Sequence, residues 1–319
     1  MNSAILTLVA QRIALGILLL FAVSALIFVG TQILPGDVAQ SILGQAATPE
    51  AVVNLRRELG LNDPATVRYF HWLGGVLTGD FGTALTSRQE ITATLMPRLW
   101  NTLFLAFSAA AVAVPLAILL GLLAVRYQGG LVDKTISGLA LASTSLPEFF
   151  IGYVLIFFFA VNLQWFPSIS TVYDGMPFFD KLKAIVLPAT VLLLAVLAHM
   201  MRMTRAAILN VMQSAYVETA ELKGLSAFNV IRKHAFPNAI APIINVVMLN
   251  LAYLIVGVVV VEVIFVYPGM GQYLVDHVTK RDVPVVQAIG LIFAAVYIGL
   301  NIVADIASIL TNPRLRHPK

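Results

Sequence analysis

Few side chains in this sequence could carry chemistry, and their spacing excludes most of it. The five histidines, His71, His199, His234, His277 and His317, are scattered. No two sit in the HExxH pattern that puts a pair of imidazoles on one helix face around zinc. With no cysteine in the chain, disulfides, thiolate metal sites and cysteine nucleophiles are ruled out. A GxxxxGK[ST] segment is absent, so no P-loop is expected to cradle a nucleotide. Gly224-Leu225-Ser226 has the GxS spacing of an intramembrane serine protease, but it lies in a charged stretch where a serine would gain no dry site. The expectation is no catalytic residue, no metal site and no cofactor held by this chain. Two acids stand out instead. Glu148 follows Pro147 inside an otherwise uncharged segment. At membrane depth a charge costs at least about 2.5 kcal/mol, so such a residue faces a cavity or a partner. Pro147 and Glu148 are therefore candidates for lining a path or gate, against the alternative of a buried, protonated structural acid. Asp305 closes the last apolar stretch and is expected to be structural, paired with a basic residue of the tail.

The elements that must position these residues follow from composition. Of the 319 residues, 59% are hydrophobic and 11% charged, with a mean hydropathy of +0.90. Soluble domains carry roughly 25% charged residues, so this chain cannot cover a soluble surface. It reads as an all-α integral membrane protein. The net charge of +4 comes from basic residues distributed by membrane side, which argues against nucleic-acid binding.

Six apolar stretches are long enough to cross a bilayer, which takes about 20 residues of helix. The first, Ile13 to Gly36, is longer than a signal-peptide core and reads as a retained anchor. Asp37 to Pro97 is a polar excursion with local helices. Thr48-Pro49-Glu50 starts one and Gly60 stops it; Asp63-Pro64 starts another, with Val67, Phe70, Leu73 and Leu77 on one side. Leu99 to Val125 is the second span. Thr135 to Tyr173 is too long for one span and reads as a helix to about Leu163, then a loop. Ala184 to Met201, Ala235 to Val261 and Val283 to Ala304 complete the set, with Glu262 closing the fifth. The expected organisation is 1–36 as N-terminus and first span, 37–97 as a helical cap, and 98–319 as a five-helix core.

One polar stretch interrupts the core at 214–240. Glu218 to Lys223 are mostly good helix formers and Gly224 follows where a left-handed C-terminal residue is wanted. Ser226 is placed to cap a second short helix. Val217, Ala220 and Gly224 are spaced i, i+3, i+7, as are Phe228, Ile231 and Ala235, so each helix has one apolar face. A solvated connector and a docking element both fit this pattern. Glu218-Thr219-Ala220, Gly224 and His234-Ala235-Phe236-Pro237 resemble the EAA loop of ABC importer permeases, with Thr219 at the motif's first alanine and His234 at a later apolar position. Tyr216-Val217, Ala220, Lys223-Gly224-Leu225, His234 and Asn238 resemble the dipeptide/oligopeptide branch more closely. The likeness runs from Arg12 to Pro318 and is strong again in Glu262, Phe265 and Pro268-Gly269-Met270-Gly271, in Arg281-Asp282 and Pro284, and in Asn301 and Asp305.

Lysine and arginine set the orientation. With both termini in the cytoplasm, eleven of the twenty basic residues fall on that side, among them Arg12, Arg126, Arg202, Arg205, Arg232 and Lys233. The resemblance then implies a type I ABC importer permease with six transmembrane helices, in the inner membrane. It implies a related second permease in a heterodimer, two ATPase subunits holding ATP and magnesium, and an external solute-binding protein. Tyr216, Val217, Glu218, Thr219, Ala220, Gly224, Phe228, Ile231, His234 and Pro237 would form the ATPase-coupling loop. Dipeptides or oligopeptides would be the cargo, with nickel chelates or glutathione-like compounds as alternatives within the family; the tail from Asn312 to His317 leans towards dipeptides. A stand-alone secondary transporter or channel is the rival, but it has no need of a cytoplasmic helix pair and would be expected to show inverted repeats or several intramembrane charges.

Overall fold

The computed structural model describes residues 3–33, 37–58 and 60–311. The basic tail from Asn312 onward therefore lies outside the described residues. Among them all regular secondary structure is helical, apart from an isolated bridge between Thr83 and Glu90. In a bilayer this is expected, because a helix satisfies every backbone polar group within its own segment.

The first apolar stretch forms α1 (Ser3–Ile33). The excursion that follows folds into α2 (Val38–Leu43), a 3₁₀ turn (Gly44–Ala46), α3 (Pro49–Glu58) and α4 (Ala65–Leu77). Asp37 caps α2 by accepting from the Ala39 amide at 2.9 Å, and Thr48 accepts from the Ala51 amide at 3.3 Å to start α3. The second span is longer than its apolar core: α5 runs Ile91–Arg126 and carries Pro97 and Pro115 inside it.

The segment after α5 departs from the expected single helix. α6 (Leu131–Ser145) stops at Leu146-Pro147, and α7 (Glu148–Leu155) leaves at 100° to it before widening into a π segment, Ile156–Asn162. The cause is Pro147, which lacks an amide hydrogen and forces Leu146 into extended backbone (φ −98°, ψ 131°). α8 (Phe178–Met212) then crosses back to the polar loop, which holds α9 (Ala215–Leu222) and α10 (Ala227–Val230). A π segment, Ile231–Ala235, leads into α11 (Phe236–Ile264), followed by α12 (Met270–Thr279) and α13 (Val283–Thr311). Among the described residues, five helical stretches are long and apolar enough to span a membrane, and the bent α6–α7 pair counted as one span makes six.

The bundle centres on α5, α8 and α11. Ala106, Ala109, Ala110, Ala113 and Ala117 are buried on α5 at helical spacing. These small side chains let the α5 and α8 backbones approach closely, as van der Waals packing in lipid requires. Leu187, Val191 and Leu192 of α8 and Leu254, Ile255 and Val258 of α11 fill the same core. α1 packs on the outside of α13, and a β-carbon at Gly16 would overlap the Ile302 side chain there. Many large apolar side chains of α1, such as Ile17 and Leu26, remain exposed, as befits a lipid-facing helix.

α4 does not turn its expected apolar side inward. Val67, Phe70 and Leu77 are exposed. Instead Tyr69 and Trp72 pack along the last turns of α1: Tyr69 Oη lies 2.8 Å from Ser24 Oγ, and the Tyr69 ring meets Phe28 edge-on at 5.4 Å. A phenol buries ring and hydroxyl together when a polar partner is within reach, which an alkyl side chain cannot match at a site containing Ser24.

Candidate functional site

At one end of the bundle, α9 and α10 form a helical hairpin bent at Gly224. That residue has φ +77°, and the Leu225 amide reaches back to the Ala220 carbonyl at 3.4 Å to close the turn. Positive φ is where the absence of a β-carbon matters. Val217 and Val230 are fully buried and Ala220 nearly so, and the three pack on Val211 and Met212 at the end of α8. Ile231 and Ala235 are buried against Val125 of α5 and Ile208 of α8. The hairpin is thus seated on the ends of three spanning helices.

Its other side is open and apolar. Tyr216, Leu222, Leu225 and Phe228 are exposed, Leu222 at 83%. Phe228 was expected to share one apolar face with Ile231 and Ala235, but Phe228 is exposed while Ile231 and Ala235 are buried together with Val230. The periodicity misleads here because α10 is one turn long and passes directly into the π segment, which shifts the angular phase. Ser226 stands at the N-cap in extended backbone (φ −62°, ψ 145°) but its hydroxyl makes no capping bond. Glu218, Thr219 and Pro237 are exposed and His234 is half-buried. Thr219 Oγ1 donates to the Ala215 carbonyl at 2.8 Å, and Asn238 donates to the His234 carbonyl at 2.7 Å.

A second element ties down this end. Arg205 of α8 grips Asp133 of α6 through two parallel bonds, Nε to Oδ1 and Nη2 to Oδ2, each 2.9 Å. Arg12 pairs with Asp305 at 3.2 Å. Asp305 was expected to find its partner in the tail, yet α1 lies antiparallel to α13 and brings Arg12 beside it.

Glu148 sits at the break between α6 and α7, half-buried, at the N-terminus of α7, where unpaired amides favour a carboxylate. Tyr253 Oη of α11 donates to its Oε1 at 3.3 Å. Pro147, Phe149, Phe150 and Tyr253 are exposed around it, so this surface faces away from the chain's own core.

The far end holds a network that periodicity alone does not disclose. Glu262 is wholly buried. Thr102 Oγ1 donates to its Oε1 at 2.6 Å, and the Gly271 and Gln272 amides donate to Oε2 at 2.6 and 3.1 Å. Those amides belong to the first turn of α12, so the carboxylate satisfies donors that a helix start leaves orphaned. A β-carbon at Gly269 would overlap the carboxylate, and one at Gly271 would fall 2.6 Å from Val259 Cα. The glycines seven and nine residues after Glu262 were the available signal. Nearby, Tyr267 donates to the Asn101 carbonyl at 2.8 Å. Burial, reinforced by Glu262, raises the phenol's pKa well above its ordinary value, so it remains a donor. Asp282, also fully buried, accepts from the Leu85 and Thr86 amides at 3.0 and 2.9 Å and from Thr86 Oγ1 at 2.7 Å. It locks the end of the 37–97 excursion to the start of α13.

The chain is thus a multi-span helical bundle with a short helical hairpin packed on one end. The solved structure titled for inward-facing conformations of the MetNI methionine ABC transporter shares this fold, with a TM-score of 0.52 at 19% identity, covering 68% of this chain and 96% of that one. The family of binding-protein-dependent transport system inner membrane components matches residues 92–317, and its N-terminal companion matches 5–106. The chain belongs to this family, the permease subunits of ABC importers, which work in the inner membrane with ATPase subunits and a binding protein. It is 35% identical over 312 residues to a "Probable peptide ABC transporter permease protein" of Sinorhizobium fredii, covering 97% of this chain and 99% of that relative. It is 34% identical over 298 residues to the glutathione transport system permease protein of Salmonella typhimurium, covering 93% and 95%.

Proposed function

We propose that this permease imports dipeptides or oligopeptides, paired with a related but distinct permease chain and two ATPases, and that 214–240 is its coupling loop. The carrying observation is the two-sided hairpin at Gly224. One side is packed onto α5, α8 and α11, and the other offers Tyr216, Leu222 and Phe228 to a groove on an ATPase. Exposed apolar side chains on a charged loop have no reason to meet water, and a partner groove would bury them. ATP-driven closure of the ATPases would move the hairpin, and the rigid seating would pass that motion to the spans. This reading places the hairpin and both termini in the cytoplasm, the 37–97 cap outside, and nucleotide and magnesium in the ATPases. Glu148 and Tyr253 would then face the second permease across the transport path.

The peptide cargo is supported by the Sinorhizobium relative. The Salmonella relative, nearly as similar, favours a glutathione-like compound as the second reading; glutathione is itself a small peptide, so the two share a backbone-like polar cargo.

The test is reconstitution of the assembled complex in liposomes, with its binding protein, measuring ATP-dependent uptake of labelled dipeptide, longer peptide and glutathione. Gly224→Asp adds bulk and an unpaired charge at the docking bend, so all spans should insert while ATPase association or uptake is lost. If this variant binds ATPase and transports normally, the coupling assignment is wrong. Uptake of none of the three cargos would remove the peptide reading.

A further inference from the structure

Under the cap, between α4, the far end of α1 and the start of α13, lies a cavity of about 730 Å³. That is within the range of roughly 300–1,000 Å³ usual for small-molecule pockets. Phe28, Trp72, Phe81 and Val286 contribute apolar wall. Three guanidiniums line it, those of Arg56, Arg68 and Arg281, with His71 beside them. Among the described residues two carboxylates do so, Asp37 and Asp80, and both are engaged. Asp37 pairs with Arg56 at 3.1 Å and caps α2, while Asp80 accepts from the Gly82 amide at 2.8 Å.

Two donors on one face of α4, four residues apart, complete the picture. Arg68 Nη2 is spent on Gln32 Oε1 at 2.8 Å, but Arg68 Nε is buried with no acceptor. Trp72 Nε1 is likewise buried and unaccepted. Guanidinium and indole nitrogens can only donate, so what they lack is an acceptor. Two donors without an acceptor, one of them on the Arg68 guanidinium whose described hydrogen bond goes to the neutral Gln32 amide, beside an apolar wall match a singly charged organic acid. A phosphate dianion would leave the apolar wall uncovered.

We infer that this cavity is a carboxylate-binding site, seated on Arg68 and Trp72. Two sources share that chemistry: a free small acid, or an acidic side chain of the docked binding protein. The second source rests on the outward placement of the cap proposed above.

The assembled complex, without binding protein, is titrated calorimetrically with N-acetyl-leucine and with N-acetyl-leucinamide, which differ only in the carboxylate. A free-acid site predicts that the acid binds about tenfold more tightly than the amide or better, the usual effect of a charged hydrogen bond. Arg68→Gln should erase that difference, and Trp72→Phe, which keeps a ring but loses the donor, should weaken the acid several-fold. Co-purification of all subunits checks assembly, and if Arg68→Gln fails it, Arg68→Lys and Trp72→Phe carry the test. In the second arm, binding protein is titrated against ATP hydrolysis. Acid and amide binding alike, with Arg68→Gln raising the half-stimulating concentration about tenfold, assigns the carboxylate to the binding protein. Acid and amide binding alike with stimulation unmoved by Arg68→Gln overturns the site and leaves a water-filled void. Failure of the importer reading would look different, because binding protein would then not stimulate even the unsubstituted complex.

Discussion

Glu148 and Glu262 are both acids in apolar helices, and their surroundings assign them opposite duties. Glu262 is enclosed by Thr102 and the first amides of α12, with no room for another partner. Glu148 meets one phenol and otherwise faces outward. If Glu148 lines the path, Glu148→Gln should alter the uptake rate with assembly intact, while Glu148→Leu should impair uptake strongly. Uptake assays in liposomes decide this, and normal transport by the leucine variant would favour a structural acid. For the enclosed acid, the sensitive probe is Gly271→Ala. The added methyl meets Val259 Cα and the carboxylate, and overpacking of this kind costs typically about 1–3 kcal/mol. Thermal unfolding of the purified complex should show a lowered Tm. An unchanged Tm would mean that α12 shifts freely, against the network described.

At the scale of elements, Gly224 and α4 make contrasting cases. No atom lies within 4 Å of where a β-carbon at Gly224 would stand, so Gly224→Ala meets only the backbone cost of positive φ, roughly 1 kcal/mol. It should be mildly harmful in transport, where Gly224→Asp is severe; equal severity would point to crowding against the ATPase rather than charge. α4 spends Tyr69 and Trp72 on α1 and leaves Val67 and Phe70 outward. If this face receives the binding protein, Val67→Ser with Phe70→Ser should weaken binding-protein stimulation of ATP hydrolysis while basal hydrolysis survives. Unchanged stimulation would mean that the face meets lipid instead. The starts of α3 and α4 were legible from Thr48-Pro49-Glu50 and Asp63-Pro64, because such signals act within a few residues. The face of α4 was not, because Ser24 and Phe28 lie some forty residues away in sequence.

For the whole molecule, the exposed surface around Pro147, Phe149, Phe150 and Tyr253 is too apolar for water and too polar at Glu148 for lipid alone. A second permease, as proposed above, would resolve both by covering the apolar part and keeping the acid beside an enclosed path. Native mass spectrometry of the purified assembly should show this chain with one related permease and two ATPase subunits. A complex holding two copies of this chain and no second permease would replace the heterodimer with a homodimer.

What the sequence by itself determined is set by local chemistry and by the solvent. Charge scarcity required a membrane fold, uncharged runs marked the spans, and Gly224 after Glu218–Lys223 marked a bend later found at φ +77°. The resemblance carried by Glu218-Thr219-Ala220 and Gly224 reached the family without any contact being known. The tertiary structure alone decided the rest. It turned the third span through 100° at Pro147, put Val230 rather than Phe228 inward, gave Asp305 to Arg12, and enclosed Glu262 between α5 and α12. The turn at Pro147 has a local cause whose angle the sequence does not disclose, and each of the others depends on a partner distant in sequence or on a phase shift by a π segment. In lipid, where apolar burial does not choose one helix face over another, close packing and polar pairing between helices make those choices.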